Sequence, residues 1–191
     1  MRLKAFVVAA AMAVLPTLSQ AATYTLTFVD DGTDVVATGV GTFDLTGLPF
    51  DGLVSVQPYV HPNSGDFMTG AQDFSMQAYA VTLTSPQPWG SGTPVLASSG
   101  SGDSVAFWTG GRLFLSQSYA TGDALLSIAT WNNHSLASLG LSVGTQSYSF
   151  GNNTFNMVFT DSAAAPVPLP ASVALLLAGL GGLGALRSAR G

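Results

Sequence analysis

Thr154-Phe155-Asn156-Met157-Val158-Phe159-Thr160 places a large apolar side chain at every second position. Successive residues of a strand point to opposite faces, so this stretch reads as a strand with one buried face and one wet face. Tyr24, Leu26 and Phe28 alternate with Thr23, Thr25 and Thr27 in the same way, and Tyr79, Val81 and Leu83 alternate with Ala80, Thr82 and Thr84. Aromatic and β-branched residues fit a half-buried pleated surface. Moving outward, Asp31-Gly32 and Asp51-Gly52 are dipeptides of the hairpin type. Gly110-Gly111 separates apolar runs at 104–108 and 112–116, and Gly151-Asn152-Asn153 separates runs at 146–150 and 154–160, which predicts two hairpins. Gly, Ser, Thr and Asn interrupt every stretch that could be a helix, so residues 66–75 hold a short helical turn at most. About ten short strands with regular turns predict one all-β domain over residues 22–161, an antiparallel β-sandwich or jelly roll. Residues 86–103, rich in Gly, Ser and Pro, read as a long exposed loop.

Charge is sparse and unevenly placed. Only 8% of the 191 residues are charged, against about 25% in ordinary soluble domains. All ten acids are Asp, and four of the five bases (Arg2, Lys4, Arg187, Arg190) lie at the chain ends. Residues 22–165 therefore carry Arg112 alone against ten aspartates, a formal charge of −9. Nucleic-acid binding is excluded, because it needs clustered Lys and Arg to neutralise phosphate. A coiled coil needs Glu, Lys and Arg, and this span has neither Glu nor Lys. With no Cys nothing is stapled, but a domain of this size buries a core without help.

The two ends read as addresses. Arg2 and Lys4 precede an apolar run at 5–16, and Ser19-Gln20-Ala21 puts small residues three and one before a cut between Ala21 and Ala22. Residues 1–21 thus have the layout of a secretory signal peptide, too short in its apolar part to span a membrane. At the other end, residues 162–166 form a linker. Val167-Pro168-Leu169-Pro170-Ala171 comes next, then an apolar stretch over about 171–186, then Arg187 and Arg190. Residues 167–186 lack charge and match the length of a membrane-spanning helix, and the closing arginines would stay cytoplasmic as a membrane stop.

Val167 to Ala171 reads VPLPA, and with the apolar stretch and basic end, residues 167–191 resemble the PEP-CTERM class of bacterial sorting signals in its VPLPA variant. The resemblance implies a precursor anchored in the inner membrane, and an exosortase-like membrane protease as partner after the export machinery. The mature protein would then reside at the cell surface or in an extracellular matrix of exopolysaccharide. Residues 113–160, with Ala129-Thr130-Trp131-Asn132-Asn133 and Ala137-Ser138-Leu139-Gly140-Leu141, resemble part of a β-rich domain common among proteins with such tails. That resemblance implies no catalytic residue. The expected function is structural or adhesive, and non-enzymatic.

Several motifs invite a chemical reading. Asp30, Asp31 and Asp34 put three carboxylates on one turn, which offers oxygen ligands to Ca²⁺, although neither the spacing nor the closing Glu of an EF-hand is present; the plainer reading is a solvated hairpin turn, which Asp and Gly favour in any case, and no cofactor is expected. Trp89 lies in the Pro/Gly/Ser-rich stretch and is the candidate for an exposed carbohydrate contact. Tyr59, Trp108, Tyr119 and Trp131 are further candidates for a stacking platform, with the latter two tryptophans expected in or beside the core. A carbohydrate- or calcium-binding surface module is accordingly the alternative function. Gly140-Leu141-Ser142-Val143-Gly144 fits a nucleophile elbow only if a helix comes after it, and residues 145–150 alternate like a strand. His61 and His134 are too few for a closed zinc site. The G-x-G-x-x-G at 179–184 falls inside the apolar tail, away from any βαβ unit.

Overall fold

A computed structural model describes residues 21–83 and 88–162. These contain thirteen strands and no helix. The strands are β1 (Ala22–Asp30), β2 (Val35–Gly41), β3 (Phe50–Val56), β4 (Tyr59–His61), β5 (Asp66–Thr69), β6 (Asp73–Ala80), β7 (Val95–Leu96), β8 (Ser99–Gly102), β9 (Val105–Trp108), β10 (Arg112–Leu115), β11 (Leu125–Trp131), β12 (Gly144–Phe150) and β13 (Asn153–Asp161). They form a six-stranded sheet in the order β12-β13-β1-β2-β11-β8 and a seven-stranded sheet in the order β3-β6-β10-β9-β5-β4-β7. The all-β expectation holds. One pairing departs from a purely antiparallel sandwich: β1 and β13 run parallel, with Ala22 beside Asn153 and Asp30 beside Asp161. Alternation fixes which face of a strand is buried and leaves its neighbour open, so this pairing is invisible in the pattern.

Both expected hairpins form. β9 and β10 pair across Thr109-Gly110-Gly111, and β12 and β13 pair across the two-residue turn Gly151-Asn152. Gly151 has φ +51°, the positive value that the first position of a type II′ turn requires. Asp31-Gly32 lies in the β1–β2 turn as expected. Asp51-Gly52, by contrast, is not a hairpin turn. It sits inside β3, where the register slips between Phe50 and Gly52, and Gly52 takes φ +114° to accommodate the bulge. Residues 66–75 carry two strand segments, not a helical turn. The strand expected around Tyr79 ends at Ala80. Residues 86–103 are not one loop, since β7 and β8 lie within them. β8 is Ser-Gly-Ser-Gly, exposed at the sheet edge. It is held to β11 by backbone pairing alone, so no side-chain pattern announces it.

The sheets share one core. Tyr24, Leu26, Phe28, Phe155, Met157 and Phe159 from the six-stranded sheet meet Val60, Phe67, Val105, Phe107, Leu113 and Leu115 from the seven-stranded one. Phe155 lies 4.8 Å from Phe107 and 5.5 Å from Phe67, ring centre to ring centre, so aromatic contacts bridge the layers. A polar chain also crosses it. Tyr24 hydroxyl is hydrogen-bonded to Ser127 Oγ at 2.6 Å, and Ser127 Oγ to Thr69 Oγ1 at 2.8 Å. Burial pushes the Tyr24 phenol up to about 12, because its anion would lie in the core without water. Gly39 makes room for this chain, since a Cβ there would overlap both Tyr24 Oη and Ser127 Oγ.

Candidate functional site

The parallel β1–β13 pair decides where the two ends of the domain lie. Ala21 is exposed, and Ala22 opens β1, its N–H donating to Asn152 O at 3.0 Å. Ser162 is the last described residue of this part, its N–H donating to Asp30 O at 2.7 Å. The expected signal-peptide junction and the start of the expected linker therefore sit at opposite ends of one ladder, about 26 Å apart for eight strand steps. Residues 1–20, and the motif residues Val167, Pro168, Leu169, Pro170 and Ala171 with Arg187, Arg190 and the glycine motif at 179–184, lie outside the described residues. Among the described residues, no helix is long and apolar enough to cross a membrane.

At the Ser162 end, an open depression of about 480 Å³ lies between Asp30, Asp161, Leu136, Leu141 and Val143. It holds two of the three aspartates expected to favour Ca²⁺. Their carboxylates do not converge, because each caps backbone N–H groups. Asp30 Oδ1 accepts from Gly32 N–H at 2.9 Å, and its Oδ2 from Leu136 N–H at 2.9 Å. Asp31 Oδ1 accepts from Asp34 N–H at 2.8 Å and Thr33 N–H at 2.9 Å, and these bonds hold its carboxyl below the usual range. Asp34 Oδ1 accepts from Asn133 N–H at 2.8 Å. Among the described residues, no group of three or more His, Cys, Asp or Glu could hold a metal ion. The three aspartates act here as turn and loop clamps, the hydrogen-bonding habit that suits Asp to turns.

Trp89 is not an exposed sugar contact. It is 4% exposed, packs against Phe67 at 5.7 Å between ring centres, and donates from Nε1 to Tyr148 Oη at 2.9 Å. Its loop composition misleads because the backbone around it is stitched to both layers. Trp89 N–H donates to Pro62 O, and Ser91 N–H to Gly140 O, each at 3.0 Å. Gly90 and Gly140 permit this approach, as a Cβ on either would strike a facing carbonyl. Residues 88–92 thus close the side of the sandwich with a tryptophan plug. Trp131 is buried and donates to Val95 O at 3.1 Å. Trp108, Tyr59 and Tyr119 are half-buried on separate elements, so the five aromatic residues share no exposed platform.

The serine motif does not acquire the structural context it needs. Ser142 is exposed and leads into β12, so the helix that an elbow requires is missing. His134 Nδ1 lies 3.2 Å from Ser138 Oγ, within its own loop. His61 ends β4 in the other sheet. Sequence reasoning missed the clamp roles and the outer surface of the seven-stranded sheet. The signal for that surface was present as three unbroken runs, Phe67-Met68-Thr69, Val105-Ala106-Phe107 and Leu113-Phe114-Leu115, every member of which is buried.

Fold and site together define a two-sheet all-β domain with open depressions at its surface. In comparison with known proteins, the chain matches no family model, no curated protein and no solved structure.

Proposed function

We propose that the chain is an exported, non-enzymatic protein of the bacterial surface or extracellular matrix. In this reading it is held as a membrane-anchored precursor by residues 171–186 and sorted through Val167-Pro168-Leu169-Pro170-Ala171 by an exosortase-like protease. The observation that carries it is the order of parts along the chain: a basic and apolar leader, a base-poor domain, VPLPA, an uncharged stretch and two arginines. Ala22 and Asp161, near the two ends of the described domain, lie at opposite ends of the β1–β13 ladder, which supports a reading in which each end is processed separately. A formal charge of −9 on residues 22–165 favours solubility and disfavours contact with anionic lipid, as suits a domain released from a membrane. The mature domain would contribute bulk or adhesion within exopolysaccharide.

The test is the intact mass of the protein exported by its native host. A mature chain that starts at Ala22 and ends between Ala165 and Ser172 is the expected result. A tag placed after Arg190 that stays on the exported domain in a strain with active sorting enzyme would refute the processing step.

A further inference from the structure

Each sheet has two edge strands, and an edge offers N–H and C=O groups to any further strand unless it is blunted. β8 has four residues, two of them glycine, and β7 has two residues. β3 is bent by two register slips and carries Asp51. β12 has none of these devices. Its seven residues, Gly144-Thr145-Gln146-Ser147-Tyr148-Ser149-Phe150, pair with β13 without a slip and include no Pro and no charge. Among the described residues, β13 is its one neighbouring strand. The hairpin geometry decides which groups face outward. Phe150 and Asn153 flank the two-residue turn and so exchange hydrogen bonds, and such pairs alternate along the ladder. Gly144, Gln146, Tyr148 and Phe150 therefore direct their backbone groups at β13, and Thr145, Ser147 and Ser149 direct theirs away from it. A second observation marks the edge as open. Thr145, Ser147 and Ser149 are exposed, whereas Val158, Asn156 and Thr154, beside them on β13 and flanked on both sides, are only partly so.

We infer that β12 is a self-association edge, on which β12 of a second copy of this chain pairs antiparallel about a two-fold axis through Ser147. In that register the strand is complementary to itself. Thr145 falls opposite Ser149 of the second copy, and Ser147 falls opposite its own counterpart, so small hydroxyl residues meet on the outward side. Each of these pairs exchanges both backbone hydrogen bonds. Gly144 falls opposite Phe150 of the second copy, a glycine–aromatic pairing that sheets favour. A segment of another protein would have to match this pattern by chance, whereas a second copy matches it by symmetry. Charge selects this edge over the others. Residues 22–165 carry −9, so two copies repel wherever aspartates meet. No Asp, Lys or Arg occurs between Asp123 and Asp161, so the β12–β13 hairpin meets its counterpart with no carboxylate before the last residue of β13. One seven-residue edge makes an interface below the roughly 1,200 Å² of stable complexes, so the pairing is reversible and favours crowded settings. The inference does not depend on export or on the sorting enzyme.

The chain has no cysteine, so a single introduced cysteine forms a disulfide only between two chains. Ser147→Cys lies on the two-fold axis, where the facing Cα atoms of a hydrogen-bonded pair stand about 5.5 Å apart, within disulfide reach. Ser101→Cys, also exposed and on the edge strand β8, is the control. Both variants are oxidised as full chains in excess detergent. The expected result is a linked dimer that forms several-fold faster from position 147 than from 101, and faster still as protein concentration rises. Equal rates from the two positions would overturn the inference. Charge then tests the register. Added to Ser147→Cys, Thr145→Lys with Ser149→Lys sets like charges opposite each other and should slow the crosslink several-fold. Thr145→Lys with Ser149→Glu sets opposite charges there and should preserve it. The Lys pair also lowers the net negative charge, which by itself eases repulsion between copies, so a slowing has to come from the facing positions. Equal rates from the two double variants would overturn the antiparallel pairing. All these substitutions fall at exposed positions, where the fold tolerates them.

Discussion

On the outward side of the six-stranded sheet, Thr25, Thr27, Thr38 and Thr130 are partly exposed, and Val40 and Leu126, paired across β2 and β11, are half-exposed. The equivalent outward positions of the seven-stranded sheet hold Met68, Ala106 and Phe114, which are fully buried. One sheet thus has a core side and a water side, and the other has two core sides. Outward threonines keep the first sheet soluble and blunt its surface as a docking template.

A pair of truncations puts the difference between the faces at greatest risk. Phe114→Ala should lower unfolding stability by about 3–5 kcal/mol, as a buried aromatic does when it leaves a cavity. Leu126→Ala, on the water side, should stay within about 0.5–1 kcal/mol. Urea denaturation of both variants checks this, and equal losses would mean that the two outer faces do not differ.

Alkaline pH probes the shared core between them. The Tyr24 phenol keeps its proton up to about 12 when folded and loses it near 10 when unfolded. The unfolded chain therefore binds fewer protons between pH 10 and 12, and stability falls through that window, by up to about 3 kcal/mol from this group. In Tyr24→Phe the decline should be shallower, which a denaturation series across that pH range would show. Gly39→Ala should cost about 1–3 kcal/mol, because its methyl group displaces the Tyr24–Ser127 hydrogen bond. Combined with Tyr24→Phe the penalty should shrink, since the overlapping oxygen is gone, and a double-mutant cycle reads that coupling. The smallest effect belongs to Ca²⁺. With Asp30, Asp31 and Asp34 bonded to backbone N–H groups, millimolar Ca²⁺ should leave the melting temperature unchanged, and a rise would reopen that turn as a site.

The inward face of the six-stranded sheet was legible because Tyr24, Leu26 and Phe28 stand against threonines, and Phe155, Met157 and Phe159 stand in the same register on the adjacent strand. Three features were not legible, each for a physical reason. β8 carries no apolar side chain, so only its backbone marks it as a strand. Trp89 sits in a composition that suggests exposure, and only the distant carbonyls of Pro62 and Gly140 reveal that its segment is tied down. The carboxylates of Asp30, Asp31 and Asp34 looked free as a trio because turn-capping and metal-binding use the same residue. Which one operates depends on where the neighbouring N–H groups point.

The parallel pairing of the first and last strands also has a mechanical meaning. Ala22 begins one strand and Asp161 ends its neighbour, with nine residues of each in register. A force that pulls the two ends of the domain apart therefore acts along the strands and shears the whole ladder. All of its backbone hydrogen bonds share the load at once, where an antiparallel terminal hairpin would unzip one pair at a time. A domain tethered at one end and gripped by polymer at the other would resist extension in the direction of its own first and last strands.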